Sequence, residues 1–232
     1  MAHSAVAIIA TMDNIIRNMR EDEHHLLEEF LDQAIHVPEG FEGKYNNRLE
    51  MICELNEPFT LIETSRLILR PWLASDAESL FSLASDSEIG PAAGWLPHES
   101  VEESAKIIET VFAAPETYAV VLKEGGALVG CVGFNAGDAA SMPLSDGELE
   151  LGYWIGRPFW GRGYAVEAAR ALVERGFDEL KLCGIHAAYF DGNERSRRVL
   201  DKLGFSFMRT EKDVECALLG EKRTEHFMYL SR

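Results

Sequence analysis

The sequence predicts an α+β fold, a mixed and mostly antiparallel central sheet flanked by helices, with a helical N-terminal extension. Three observations predict it. Thr117–Leu122 and Ala127–Phe134 are apolar runs joined by Glu124-Gly125-Gly126, a strong hairpin signal. Glu148 to Leu180 reads as a strand, a glycine turn and an amphipathic helix in immediate succession. Residues 1–60 read as a separate helical layer, whereas alternation becomes commoner from Leu61 onward. The expected division is therefore 1–60 and 61–232.

In the first segment Leu26, Leu27, Phe30, Leu31, Ala34 and Ile35 share one helical face, closed by Pro38-Glu39-Gly40. A shorter helical pattern runs from Asn47 to Leu55. An apolar face of this size must be covered, by the main domain or by a second copy in a homodimer. Beyond it, Arg66–Trp72 reads as a strand interrupted at Pro71. Ser75-Asp76 is placed to cap a helix over Ala77–Ala84, and Glu99–Phe112 reads as another helix. After the hairpin, Gly137–Gly147 is a polar loop. Leu149, Leu151, Tyr153 and Ile155 then alternate with Glu148, Glu150, Gly152 and Trp154, which gives a strand with one buried face. Gly161-Arg162-Gly163 turns the chain, and Ala168, Ala169, Leu172, Val173 and Leu180 follow at helical spacing. A strand over Ile185–Phe190, a helix over Glu194–Leu203 and strands near Phe205–Lys212 and Thr224–Leu230 complete the pattern. The helix from Ala165 supplies the crossover that a parallel strand neighbour requires.

Composition sets bounds on function. A chain of 232 residues, 47% hydrophobic and 26% charged, can bury one good core plus an appendage. No apolar run approaches the roughly 20 residues of a membrane span, so no membrane partner is expected. Ala5–Ala10 is short, lacks a preceding positive charge and is soon followed by Asp13, which speaks against a signal peptide. Cys53, Cys131, Cys183 and Cys216 are widely spaced, as expected of reduced core cysteines in a cytoplasmic protein. His24-His25 lacks zinc-hydrolase spacing, and no metal is expected.

The net charge of −17 argues against nucleic-acid binding. Its distribution is uneven: residues 1–156 carry 8 Lys/Arg against 27 Asp/Glu, and residues 157–198 carry 8 against 6. Arg157 and Arg162 flank the glycine turn, and Arg195, Arg197 and Arg198 cluster near the next helix start. These arginines suit phosphate contacts, with solvated helix faces as the plainer reading.

A helix that begins straight after a glycine turn offers unpaired N–H groups and the positive end of its dipole to an oxyanion. The dinucleotide fingerprint fails here, because the third glycine position is Val166. A nucleotidase phosphate loop fails as well, since no Gly-Lys-Ser/Thr follows. A tight turn without ligand stays open on the glycines alone. Gly152, a glycine inside a strand, marks a bulge or a place where something approaches the backbone closely.

The runs Glu150-Leu-Gly-Tyr-Trp-Ile155 and Trp160-Gly-Arg-Gly-Tyr-Ala165 resemble the acyl-CoA motif of the GNAT acetyltransferases. The branch is similar to the Rim type, which includes acetyltransferases of ribosomal-protein N-termini. Asn193-Glu-Arg-Ser196, continuing to Gly204-Phe205, is similar to the family's Asn-x-x-Ser…Gly-Phe helix, and Ile62–Arg70 to the domain's first strand. Ile16–Asp22 and the helix after it also resemble the opening of such a domain, which suggests a truncated duplicate. The resemblance implies a GNAT-like sheet that splays between its fourth and fifth strands. It also implies acetyl-CoA as cosubstrate, held by Trp154, Ile155, Arg157, Trp160, Gly161, Arg162, Gly163, Tyr164, Ala165, Asn193 and Arg198. The chain departs from the family where Pro158 precedes the turn and where Leu200 replaces a tyrosine that protonates the leaving thiolate.

The implied reaction is transfer of an acetyl group to a primary amine: a protein N-terminus, a polyamine or an amine-bearing small molecule. The acidic balance of the chain favours a cationic acceptor. Glu150 is the candidate proton acceptor, with Glu148 on the same face as runner-up. Ser196 is the candidate donor to the thiolate in place of the missing tyrosine. Asn193 also suits a helix cap. Tyr153 and Tyr164 read first as packing residues. No Ser/His/Asp or Cys/His set has supporting context, so direct transfer is expected. A catalytically lapsed acyl-CoA-binding module and transfer of a longer acyl group are the alternatives.

Overall fold

The structure, a computed structural model, describes residues 61–232. The expected helical layer over 1–60 and its apolar face lie outside the described residues. Eight strands form one sheet in the order β1-β2-β3-β4-β5-β6-β8-β7. They are β1 (Ile62–Glu63), β2 (Leu67–Arg70), β3 (Thr117–Leu122), β4 (Leu128–Asn135), β5 (Glu148–Ile155), β6 (Gly184–Phe190), β7 (Ser206–Cys216) and β8 (Glu221–Ser231). The helices are α1 (Ala77–Ala84), α2 (Gly90–Ala93), α3 (Val101–Thr110), α4 (Tyr164–Asp178) and α5 (Glu194–Leu203).

Every neighbouring pair is antiparallel except β5–β6. That parallel pair is joined by α4, as a same-direction crossover demands. Its ladder is short: Glu148, Leu149 and Glu150 pair with Gly184, Ile185 and His186, and then the strands part. The split positions the site.

Each face of the sheet has its own core. On one side Leu151 and Ile155 of β5, Ile185 and Ala187 of β6 and Met228 of β8 pack with Leu172, Val173 and Phe177 of α4 and Leu200 of α5. On the other, Ala119, Val121 and Cys131 pack with Leu80 and Leu83 of α1 and Ile108 of α3. A core on each face is why β3 and β4 read as continuous apolar runs, buried along nearly their whole length.

Three expectations change in detail. Ile62–Arg70 is not one strand but a small hairpin, because Leu67 N–H donates to Thr64 Oγ1 at 2.9 Å and closes a turn. The Glu167 carboxylate of α4 clamps that turn through Thr64 Oγ1, Ser65 Oγ and the Arg66 N–H. Asp76 does not cap α1 with its side chain. It pairs with Arg70 through two 2.7 Å contacts and accepts the Leu73 N–H, and both charged groups are buried. The three described cysteines are free but not all in the core: Cys131 is buried, Cys183 exposed and Cys216 partly covered.

Candidate active site

Where β5 and β6 part, a cleft of about 1000 Å³ opens. Seven residues anticipated for the site line it together: Glu150, Trp154, Ile155, Trp160, Ala165, Asn193 and Ser196. Ala139, Ala140 and Ser141 of the polar loop form part of its wall.

The split leaves one edge of β5 without a strand partner beyond Glu150. Gly156 donates its N–H to Val129 O at 2.8 Å. Backbone directions alternate along a strand, so the Trp154 amide faces β4, and those of Tyr153 and Ile155 face the open side. Tyr153's amide was not anticipated; the signal for it was the parity of the strand. Gly152 keeps the β4 register unbroken, so it marks close approach rather than a bulge. Its missing side chain keeps the cleft floor low between Glu150 and Trp154.

At the end of β5, Trp160 Nε1 donates to Ile155 O at 2.6 Å and fixes the indole against the strand. Arg195 lies over that ring at 3.8 Å. Gly161 and Gly163 have φ of 76° and 83°, a left-handed backbone that a side chain would strain. Gly163 is the N-cap of α4, and the first helical bond runs from Glu167 N–H to Gly163 O. The amides of Tyr164, Ala165 and Val166 precede that bond and lack an intrahelical acceptor. Arg66 braces the turn by donating to Arg162 O at 3.0 Å while its guanidinium lies over the Tyr164 ring.

The arginines are placed less uniformly. Arg157 contacts Asp86 at 2.6 Å and Glu88 at 3.5 Å, and Arg195 reaches the same Glu88 at 3.8 Å. Arg162 is exposed beside Phe159. Arg198 is exposed on α5 and is not among the cleft-lining residues, whereas Arg195 is.

The two β5 carboxylates differ sharply. Glu150 is 3% exposed and accepts the Ser141 N–H at 2.7 Å. Burial pushes its carboxyl above the usual range, against the pull of Ser141, His186 and Asn135. Glu148 does not line the cleft; it accepts the Ser145 N–H and meets His186 Nε2 at 3.1 Å and the Tyr229 hydroxyl at 3.3 Å. The Ser145 amide, with His186, holds it below the usual range.

On α5, Asn193 accepts the Ser196 N–H at 3.1 Å, the cap that the sequence suggests, and donates to Ala92 O of α2 at 3.2 Å. Ser196 Oγ lies 2.9 Å from the Tyr153 hydroxyl, which also donates to Ser196 O at 3.0 Å. Burial pushes the Tyr153 phenol up, so it stays protonated. Leu200 is 0% exposed within the core, so no donor stands at that position. One further carboxylate was missed: Glu225 of β8, buried in the cleft wall and pushed up to about 7 by burial and by Glu150 and Glu211.

The acetyltransferase (GNAT) domain profile matches residues 66–206. The chain belongs to the GNAT acetyltransferases. A GNAT relative from Bacillus subtilis (strain 168), the uncharacterized N-acetyltransferase YoaA, is 33% identical over 152 residues, which cover 63% of this chain and 83% of that protein. A solved Vibrio cholerae chain, a proposed ribosomal-protein-serine acetyltransferase, has 24% identity and a TM-score of 0.62 over 75% of this chain and 98% of its own. Microcin C7 self immunity acetyltransferase MccE, solved with acetyl-CoA and AMP, has 18% identity and a TM-score of 0.60 over 73% and 94%. These two structures are likenesses of fold. As a GNAT protein the chain is an acyltransferase, and acetyl-CoA is the family's acyl donor. The open β5 edge, the two positive-φ glycines and the free amides of α4 fit an elongated ligand with a pyrophosphate head.

Proposed function

We infer that this protein transfers the acetyl group of acetyl-CoA directly to a primary amine, with Glu150 as proton acceptor. The observation that carries the reading is a buried, up-shifted carboxylate facing the cleft where β5 and β6 part. An aliphatic amine attacks only as the neutral base and is mostly protonated at neutral pH. Glu150 removes that proton, and its raised affinity for protons moves it closer to working pH than an ordinary carboxylate. The amides of Tyr153 and Ile155 on the open edge stabilise negative charge that develops on the acyl oxygen. Acetyl-CoA, when bound, supplies the thioester, with its phosphates toward Gly161–Gly163 and the amides of Tyr164 and Ala165. Arg162, beside Phe159, and Arg195, over Trp160, add positive charge. The sulfur leaves as a thiolate, and the Ser196 hydroxyl, hydrogen-bonded to Tyr153, donates a hydrogen bond to it.

A thiol-release assay with acetyl-CoA against N-terminal peptides, polyamines and aminoglycosides tests the reading. Glu150→Gln is expected to lower kcat/KM about a hundredfold or more at neutral pH. A variant that transfers at the wild-type rate across pH removes Glu150 from the role of base. The buried Leu200 supports a second reading, an acyl-CoA-binding module whose catalysis has lapsed. Acetyl-CoA affinity without thiol release to any of these amines favours that reading.

A further inference from the structure

Glu225 is a buried carboxylate that the described residues leave unpaired. It is 6% exposed, yet no hydrogen bond or ion pair reaches its carboxylate among the described residues. Its antiparallel partners are Phe190 on β6 and Glu211 on β7, one apolar and one of like charge. Arg223, two residues earlier on β8, is turned to Glu221, to Pro91 O and to the Phe190 ring. A buried carboxylate without a partner is costly, and a purely structural one is normally paired. Glu225 instead faces the cleft that also holds Glu150, and the two carboxylates repel one another.

The spacing gives the arrangement chemical meaning. Glu150 stands beside His186, and Glu225 stands beside Phe190, four residues farther along β6. Four residues of strand span roughly 13 Å, and the wall between the two levels carries Ala188. Two acidic groups with an apolar stretch between them match an aliphatic chain that is cationic at both ends.

We propose that Glu150 and Glu225 form the two ends of one acceptor subsite, and that the acceptor is an aliphatic amine with a second cationic centre bound by Glu225. The proposal rests on the acetyl-transfer reading above, because that reading sets the reacting nitrogen at Glu150. A second ammonium at Glu225 restores the missing charge partner and relieves the repulsion between the two carboxylates. An amine with a single charge leaves that partner missing.

The test compares hexamethylenediamine with hexylamine, which has the same chain and one ammonium fewer. Calorimetry on the CoA-loaded full-length protein measures binding, and thiol release from acetyl-CoA is followed on the same panel. The wild type is expected to bind the diamine about tenfold tighter or more, the scale of one charge-assisted contact. Glu225→Gln collapses that ratio toward one, and Glu225→Asp, which keeps the charge, retains a preference and controls for folding. Equal binding of the two amines, no binding of either at millimolar levels, or a preference that survives Glu225→Gln overturns the subsite. A diamine preference without thiol release leaves the subsite standing and removes the transfer reading. Thiol release to hexylamine without a diamine preference does the reverse.

Discussion

Two buried acidic regions of this molecule follow opposite rules. At the β2–α1 corner Asp76 is locked to Arg70 by two 2.7 Å contacts and to the Leu73 amide by a third. In the cleft wall, among the described residues, Glu150 has a backbone donor but no ion-paired cation, and Glu225 has neither. The first arrangement neutralises charge so that the chain can pack over it. The second leaves charge uncompensated at the mouth of a cavity, where a ligand can supply what the protein withholds. Perturbed carboxylates in clefts are candidates for function on this ground.

The largest effect that would break the comparison is at the paired corner. Asp76→Ala leaves the Arg70 guanidinium buried and uncompensated, with its Nε already lacking a partner. Unfolding in urea should show a loss of about 3–5 kcal/mol. A loss below about 1 kcal/mol, the scale of an exposed pair, would mean that the two charges are not locked together in the buried corner.

Glu225 should behave in the opposite sense. Its carboxyl is pushed from the usual 4.5 up to about 7, so the folded state holds the proton more tightly than the unfolded state. Stability from that protonation is complete below the unfolded value and is lost as pH rises through about 7. Glutamine has no such dependence. Relative to wild type, Glu225→Gln should gain stability between acidic pH and pH 8, by at most about 3 kcal/mol. Denaturation curves at several pH values check this, and a variant that loses stability at pH 8 would show a hidden partner for Glu225. A substitution that stabilises the fold while it removes diamine preference would mark a functional residue.

The contrast also explains what could be read in advance. Glu150 was legible because a strand alternates: a carboxylate set among Leu149, Leu151 and Tyr153 must face the side opposite the core. The turn at Gly161–Gly163 was legible because left-handed backbone favours glycine, and the structure gives both residues positive φ. Glu225 was not legible. It lies in a strand of mixed polarity, Glu221–Ser231, and its burial depends on β8 pairing between β6 and β7. That pairing is a long-range fact that no local pattern encodes. Asp76 was misread for a related reason: a local cap and a tertiary ion pair compete for the same carboxylate, and Arg70 won. The Tyr153 hydroxyl, read first as packing, meets Ser196 only because α5 and β5 pack into the same core.

A smaller effect is expected at that hydroxyl pair. Thiols ionise near pH 8.5, so a thiolate leaves without much help from an acid. Ser196→Ala should therefore lower kcat about tenfold, the scale of one hydrogen bond, with little change in acetyl-CoA affinity. Tyr153→Phe should match it, and the double variant should lose little more than either single one. Additive losses would mean that the two hydroxyls act separately.

The smallest effect, and the sharpest control, lies within β5 itself. Glu148 and Glu150 share a face two residues apart, and by sequence alone either could serve as base. The folded chain assigns them differently: Glu148 is held by the Ser145 amide, His186 and Tyr229, outside the cleft lining. Its neighbours favour the ionised form, which makes it a poorer proton acceptor than Glu150 near neutral pH. Glu148→Gln should weaken the β5–β6 junction by about 1 kcal/mol, the worth of a hydrogen bond, while kcat/KM stays within about threefold of wild type. Steady-state rates for Glu148→Gln and Glu150→Gln on one acceptor make the comparison. If both fall equally, the base is a shared acidic wall rather than a single buried residue, and burial is not what selects Glu150.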